Sequence, residues 1–123
     1  MIVYTSRTGN VRFVVEKLGL KSIELNEQLI IHQPFLLFTY TEGLGDVPQA
    51  VTKFMENNYS NCRGIIASGN SNFGHHVFCG SAHKLHAAYN IPIVRKMELR
   101  GFQHDYDAII QYYRQHIEAG VIK

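Results

Sequence analysis

A chain of 123 residues with 46% hydrophobic content and 18% charge can bury one core and is too short for two, so residues 1–123 read as a single domain. Twelve Lys+Arg against ten Asp+Glu give a formal charge of +2, and no basic run exceeds Arg95-Lys96, which leaves nucleic-acid binding without electrostatic support. No apolar run nears the roughly 20 residues of a membrane helix, so no membrane contact is expected. Met1-Ile2-Val3-Tyr4 enters a strand pattern without a basic n-region, and Cys62 and Cys79 are too far apart for a CxxC pair; a cytoplasmic protein with free thiols is expected.

Apolar runs alternate with segments of helical period, the pattern of a parallel sheet covered by helices on both faces and hence of the α/β class. Ile2 to Thr5 reads as the first strand. After a polar turn, Val11, Val14, Val15 and Leu18 recur at helical spacing and stop before Gly19. Ser22 to Leu25 is a short second strand and Phe35 to Tyr40 an apolar third. Only Asn26 to Pro34 joins them, fewer residues than a parallel crossover usually takes, so the helix of this second crossover is expected to be degenerate or missing. Pro48 opens the next helix at its first turn, with Val51, Phe54 and Met55 as its apolar stripe. Gly64 to Ser68 gives a fourth strand, His75 to Tyr89 a helix, Ile91 to Leu99 the fifth strand and Tyr106 to Ile117 the closing helix. In that last helix Tyr112 and Tyr113 are expected as one half-buried and one buried ring rather than a nucleic-acid stacking pair.

Three loops carry chemistry, and each follows a strand. Ser6-Arg7-Thr8-Gly9-Asn10-Val11 sits between the first strand and its helix. A helix N-terminus presents unpaired N–H groups and the positive end of its dipole, so the hydroxyls of Ser6 and Thr8, with Gly9 permitting close backbone approach, can surround a phosphate. Arg7 adds charge at the rim. The same residue types also make an ordinary cap, and the hexamer alone does not separate the two readings. The segment Tyr40-Thr41-Glu42-Gly43-Leu44-Gly45-Asp46 follows the third strand, and Ser68-Gly69-Asn70-Ser71-Asn72-Phe73-Gly74 follows the fourth. In an open parallel sheet the loops after strands one, three and four converge on one crevice. There Tyr40 and Phe73 supply flat aromatic walls, while Thr39, Thr41, Gly43, Ser68, Gly69, Asn70, Asn72 and Gly74 supply hydroxyl, amide and backbone groups, the environment a flavin ring needs.

Ser-x-Thr-Gly-Asn after strand one resembles the flavodoxin phosphate loop, with Val11 where flavodoxins commonly carry another hydroxyl residue. Asn10-Val11-Arg12-Phe13-Val14, Ala67-Ser68-Gly69-Asn70 continuing to Asn72-Phe73-Gly74, and Met97-Glu98-Leu99-Arg100-Gly101 together resemble the NrdI family, flavodoxin-like activators of class Ib ribonucleotide reductase. The match spans almost the whole chain, and the short second crossover fits that compact family. The resemblance implies a flavodoxin-like open parallel five-stranded sheet in the order 2-1-3-4-5 and FMN as cofactor. It also implies the manganese-binding small subunit of the reductase as partner. In that family reduced FMN, supplied with electrons by a flavin-reducing donor, meets dioxygen; the superoxide-level oxidant then reaches the dimanganese site and helps generate a tyrosyl radical. The protein is thus expected to be a redox activator rather than a conventional substrate-turnover enzyme. An ordinary flavodoxin carrying single electrons is the alternative, and a binding module of the same fold without cofactor is a third.

Other patterns are weaker. His76, Cys79, His83 and His86 have the ligand types of a zinc site, but one helix seldom closes a tetrahedral shell, so no metal is expected. Glu42 and Asp46 read as a solvated loop pair, and no catalytic side chain is assigned. Strongly acidic flavodoxins disfavour the anionic reduced cofactor, since a unit charge at about 4 Å costs about 1 kcal/mol in water and several in a surface-like dielectric. With pI near 8.6, this chain lacks that excess, and its two one-electron potentials are expected to lie closer together.

Overall fold

The structure, a computed structural model, describes residues 1–74 and 77–118. Among them are five strands, β1 (Ile2–Tyr4), β2 (Ser22–Glu24), β3 (Phe35–Tyr40), β4 (Cys62–Gly69) and β5 (Ile93–Glu98). All pair in parallel, in the order β2-β1-β3-β4-β5. Four α-helices cover the sheet: α1 (Asn10–Leu18), α2 (Gln49–Asn58), α3 (Gly80–Tyr89) and α4 (Gln103–Tyr113). This is the flavodoxin-like α/β arrangement expected from the sequence.

Successive strand side chains point to opposite faces, so one apolar run feeds two cores. Ile2, Leu36, Phe38 and Ile66 face α1 (Val11, Val14, Val15) and α4 (Tyr106, Ile109, Tyr113). Val3, Phe35, Leu37, Ile65 and Ala67 face α2 (Val51, Phe54, Met55) and α3 (Ala82, Leu85). Phe35 through Phe38 are completely buried, and each such side chain contributes about 1.5–3 kcal/mol at most.

The second crossover has no α-helix. Its irregular backbone is fastened by one buried side chain of α2: Asn58 accepts from Ile31 N at 2.8 Å and donates to Leu29 O at 2.8 Å and to Phe54 O at 2.7 Å. Asn61 adds a bond to Ile31 O at 3.0 Å. Leu25 and Ile31 then pack into the core shared with α2 and α3. The amide thus supplies what a helix would have satisfied internally, while two aliphatic side chains replace its apolar stripe.

Several element limits differ from the sequence expectation, each for a local reason. Pro48 precedes α2 as its cap, at ψ 139, instead of lying inside the first turn. α3 starts at Gly80 because Cys79 is left-handed, φ 51 and ψ 36, and cannot be helical; the expected start at His75 lies outside the described residues. Leu99, also left-handed, ends β5 one residue early. α4 begins at Gln103 because the buried Asp105 carboxylate accepts from Phe102 N at 2.8 Å and pairs with Arg95 Nε at 2.7 Å. Its expected last turn passes into a π-helical turn over Arg114–Glu118. Tyr113 is buried and its hydroxyl accepts from the Met1 amine at 2.6 Å; half-buried Tyr112 donates to Arg63 O at 2.6 Å. No helix among the described residues is long and apolar enough to cross a membrane.

Candidate functional site

β1 lies between β2 and β3, so the chain leaves the carboxyl ends of β1 and β3 in opposite directions and opens a crevice there. The loops after β1, β3 and β4 enclose a cleft of about 400 Å³ at that edge.

The loop after β1 forms its anion-seeking end. Thr5 N donates to Phe38 O at 3.1 Å and prolongs the β1–β3 pairing before the chain turns. Gly9 then takes φ 93, a conformation open to glycine, and a Cβ there would meet nothing within 4 Å. α1 starts without a side-chain cap and without an acidic residue in its first turn; Ser6 Oγ accepts only the Arg12 amide, at 3.3 Å. The positive end of the helix therefore faces the cleft. Ser6, Arg7, Thr8, Asn10 and Val11 line it, whereas Gly9 shapes the turn behind them. Val11 is buried in the core below α1, and exposed Arg7 holds its guanidinium 5.4 Å from the Tyr40 ring centroid.

The loop after β3 is a closed unit. Glu42 and Asp46 exchange backbone hydrogen bonds of 2.9 and 2.7 Å, and both side chains are exposed, with Asp46 paired to Lys84 Nζ at 2.6 Å. Gly45 packs against Gly80, where a Cβ would stand 2.8 Å from the Gly45 backbone. Thr41 Oγ1 lies 2.8 Å from Ser81 Oγ and accepts from Ser81 N at 3.4 Å. The N-terminus of α3 is thus occupied by protein, whereas that of α1, with no side-chain cap from Gly9, borders the cleft. Tyr40, Thr41 and Gly43 line the cleft, while Thr39 is fully buried beneath it and donates to Tyr40 O at 2.8 Å.

From the loop after β4, Ser68, Gly69, Asn70 and Phe73 line the cleft. Asn72 and Gly74 hold the turn instead: Asn70 Oδ1 accepts from Asn72 N at 2.9 Å, and Gly74 takes φ 105. Ser71 N donates to the Glu98 carboxylate at 3.1 Å, which ties the loop to β5. Phe73 is 65% exposed and Leu44 76%, so the mouth carries two large apolar surfaces.

Leu44, Val77, Cys79 and Leu99 also line the cleft and lie outside the candidate set. Leu44 sits between two glycines of a loop already singled out, and Leu99 within a motif that carries the family resemblance; position was their only signal. Cys79 is fully buried, with Sγ 3.5 Å from Ala67 O, and burial pushes its thiol up to about 12. Cys62 is likewise a buried free thiol raised to about 12 by desolvation. The histidine face does not assemble. His76 lies outside the described residues, Cys79 turns into the core, His83 Nε2 meets Lys96 Nζ at 3.2 Å, and His86 Nδ1 meets Ile91 O at 2.8 Å. Among the described residues no group of three or more His, Cys, Asp or Glu could hold a metal ion.

Comparison with known proteins agrees with this fold. Residues 2–111 match the family described as NrdI flavodoxin-like. Protein NrdI of Bacillus licheniformis is 36% identical over 123 residues, spanning 99% of this chain and 90% of that protein. Among solved structures, a short-chain flavodoxin associated with a bacterial microcompartment superposes with a TM-score of 0.69 over 96% of this chain and 95% of its own; at 18% identity it speaks for the fold alone. With the family match covering most of the chain and the expected strand order in place, this protein belongs to the NrdI flavodoxin-like family.

Proposed function

We propose that the cleft binds FMN and that the protein is a redox activator of a class Ib ribonucleotide reductase. The observation that carries the reading is a cleft lined both by the start of α1, which has no side-chain cap from Gly9 and no acidic residue in its first turn, and by Tyr40, Phe73 and Leu44. An anion fits the first feature and a flat aromatic system the second. Ser6, Thr8, Asn10 and the backbone beside Gly9 would hold the phosphate, with Arg7 at the rim; Tyr40, Thr41, Gly43, Ser68, Gly69, Asn70 and Phe73 would border the ring. Val11 would border the cofactor beside Asn10, and the buried Thr39 and the turn residues Asn72 and Gly74 support these groups from behind.

When bound and reduced by an electron donor, FMN supplies the electrons that convert dioxygen into a superoxide-level oxidant for assembly of the dimanganese-tyrosyl radical cofactor of the reductase small subunit. The chain's own task is to hold the cofactor and keep bulk water from the path to the partner. The Glu42–Asp46 and Asn70–Gly74 loops form that rim, and both are braced, by Gly80 and Lys84 for the first and by Glu98 for the second.

Two measurements test the reading. Purified protein should be yellow and retain FMN. Reduced under nitrogen and then mixed with the manganese-loaded subunit in the presence of dioxygen, it should produce a tyrosyl radical signal that manganese and dioxygen alone do not. Retention of FMN without radical formation would place the protein among ordinary single-electron flavodoxin carriers, and absence of flavin binding would leave only the cofactor-free module.

A further inference from the structure

We infer that Arg100, which lies outside the three loops of the site, is a positioning residue for its phosphate end: it anchors Asn10 at the start of α1 and sets a permanent cation beside the anion pocket. The inference rests on reading the cleft as an FMN site.

The turn after β5 is tied down on both sides of Arg100. Leu99 takes φ 51, left-handed for a residue with a side chain, and Gly101 takes φ 71. Leu99 N donates to Gly69 O at 2.8 Å, and its carbonyl accepts from Ser68 Oγ at 2.5 Å. The Arg100 carbonyl accepts from the Tyr106 hydroxyl at 2.5 Å, and Gly101 N donates to Glu98 O at 2.8 Å. β4, β5 and α4 thus hold the peptides that flank this one residue. Such over-determination is what keeps a left-handed leucine in place.

The outcome is a set direction for the side chain. Arg100 Nε donates to Asn10 Oδ1 at 3.2 Å, and the guanidinium carbon lies 4.5 Å from the Phe13 ring centroid. Asn10 and Phe13 lie one helical turn apart, so the guanidinium spans the first turn of α1. Arg12 and Arg95 are paired with Glu24 and Asp105, but among the described residues no carboxylate pairs with Arg100. Its charge is therefore not cancelled locally. A phosphate monoester near neutral pH approaches a dianion, and the helix end offers only about half a positive charge. An unpaired guanidinium adds attraction that salt screens, and its hydrogen bond orients the Asn10 amide that lines the cleft.

FMN and riboflavin differ only in the phosphate, so titrating the full-length chain with each separates this role from a structural one. In R100A, FMN affinity should fall about five- to tenfold while riboflavin affinity stays within about twofold, and the salt dependence of FMN binding should flatten. R100K, which restores charge without the planar fork, should recover part of the FMN affinity and its salt dependence. Unchanged FMN affinity in R100A, or an equal loss for both flavins, overturns the proposal while leaving the cofactor reading intact. Wild-type protein that binds neither flavin defeats the cofactor reading, and this proposal with it.

Discussion

A carboxylate at position 8 tests the anion site most directly. Thr8 is exposed and lines the cleft beside the uncapped end of α1. Thr8→Glu should leave the fold intact by circular dichroism and lower FMN affinity at least about a hundredfold, because a fixed charge would stand where the phosphate's charge must go. Folded Thr8→Glu protein with wild-type affinity would remove the phosphate from this loop. At the same scale, Cys62 and Cys79 give a pH prediction. Burial raises both thiols from an ordinary value of 9.0 to about 12. At pH 8 they should resist thiol reagents until denaturant is added. Between about pH 9 and 12 the unfolded chain loses thiol protons that the folded chain keeps, so stability is fully present below that window and falls as pH rises through it. Raised Tyr89, Tyr112 and Tyr113 act in the same direction. A urea midpoint that stays flat from pH 8 to 11 would contradict this.

Among the elements, the helix-free crossover makes most of its side-chain hydrogen bonds to one amide, that of Asn58. Asn58→Ala leaves Ile31 N and Leu29 O without their side-chain partner and should lower stability by about 2–3 kcal/mol, read as a shifted urea midpoint at constant slope. A change below about 0.5 kcal/mol would mean that Asn61 and water suffice. The shortness of Asn26–Pro34 was legible from spacing alone. What replaces the missing helix was not, because Asn58 sits in the last turn of α2, 27 residues beyond the amide it satisfies. A similar limit governs α3. The sequence expectation runs back past Cys79 to His75, but the backbone at Cys79 is left-handed and the chain beside it is closely packed: a Cβ on Gly69 would lie 3.1 Å from Cys79 N, and one on Gly80 would strike Gly45.

For the whole molecule, a formal charge of +2 is spread as mixed signs around the cleft, with Arg7 and Arg100 against Glu42 and Glu98, and Asp46 neutralised by Lys84. Among the described residues the charges near the cleft are of both signs, so no strong one-sign field is expected to steer a partner. The proposed complex with the reductase small subunit is therefore expected to be held by shape and by hydrogen bonds from the loops around the mouth, with Leu44 and Phe73 as its exposed apolar contacts. Its dissociation constant should rise less than about tenfold between low and high salt, since screening acts on charges more than about 8 Å apart at physiological strength. A steep loss of affinity with salt would show that the interface is electrostatic after all.

By itself the sequence determined the parallel α/β class, the five strands found among the described residues, the missing helix and the three loops that border the cleft. Hydrophobic period and turn residues are local properties, and the elements follow them apart from limits set by packing; the loops at the carboxyl ends follow from strand order. Twelve of the candidate residues meet at one cleft for that reason. Only the tertiary structure decided that Thr39 lies beneath the site, that Thr41 closes the N-terminus of α3 while that of α1 borders the cleft, and that Leu99 and Arg100 reach back from β5 to the start of the chain. Those facts depend on contacts between residues up to 90 positions apart, which no local pattern encodes.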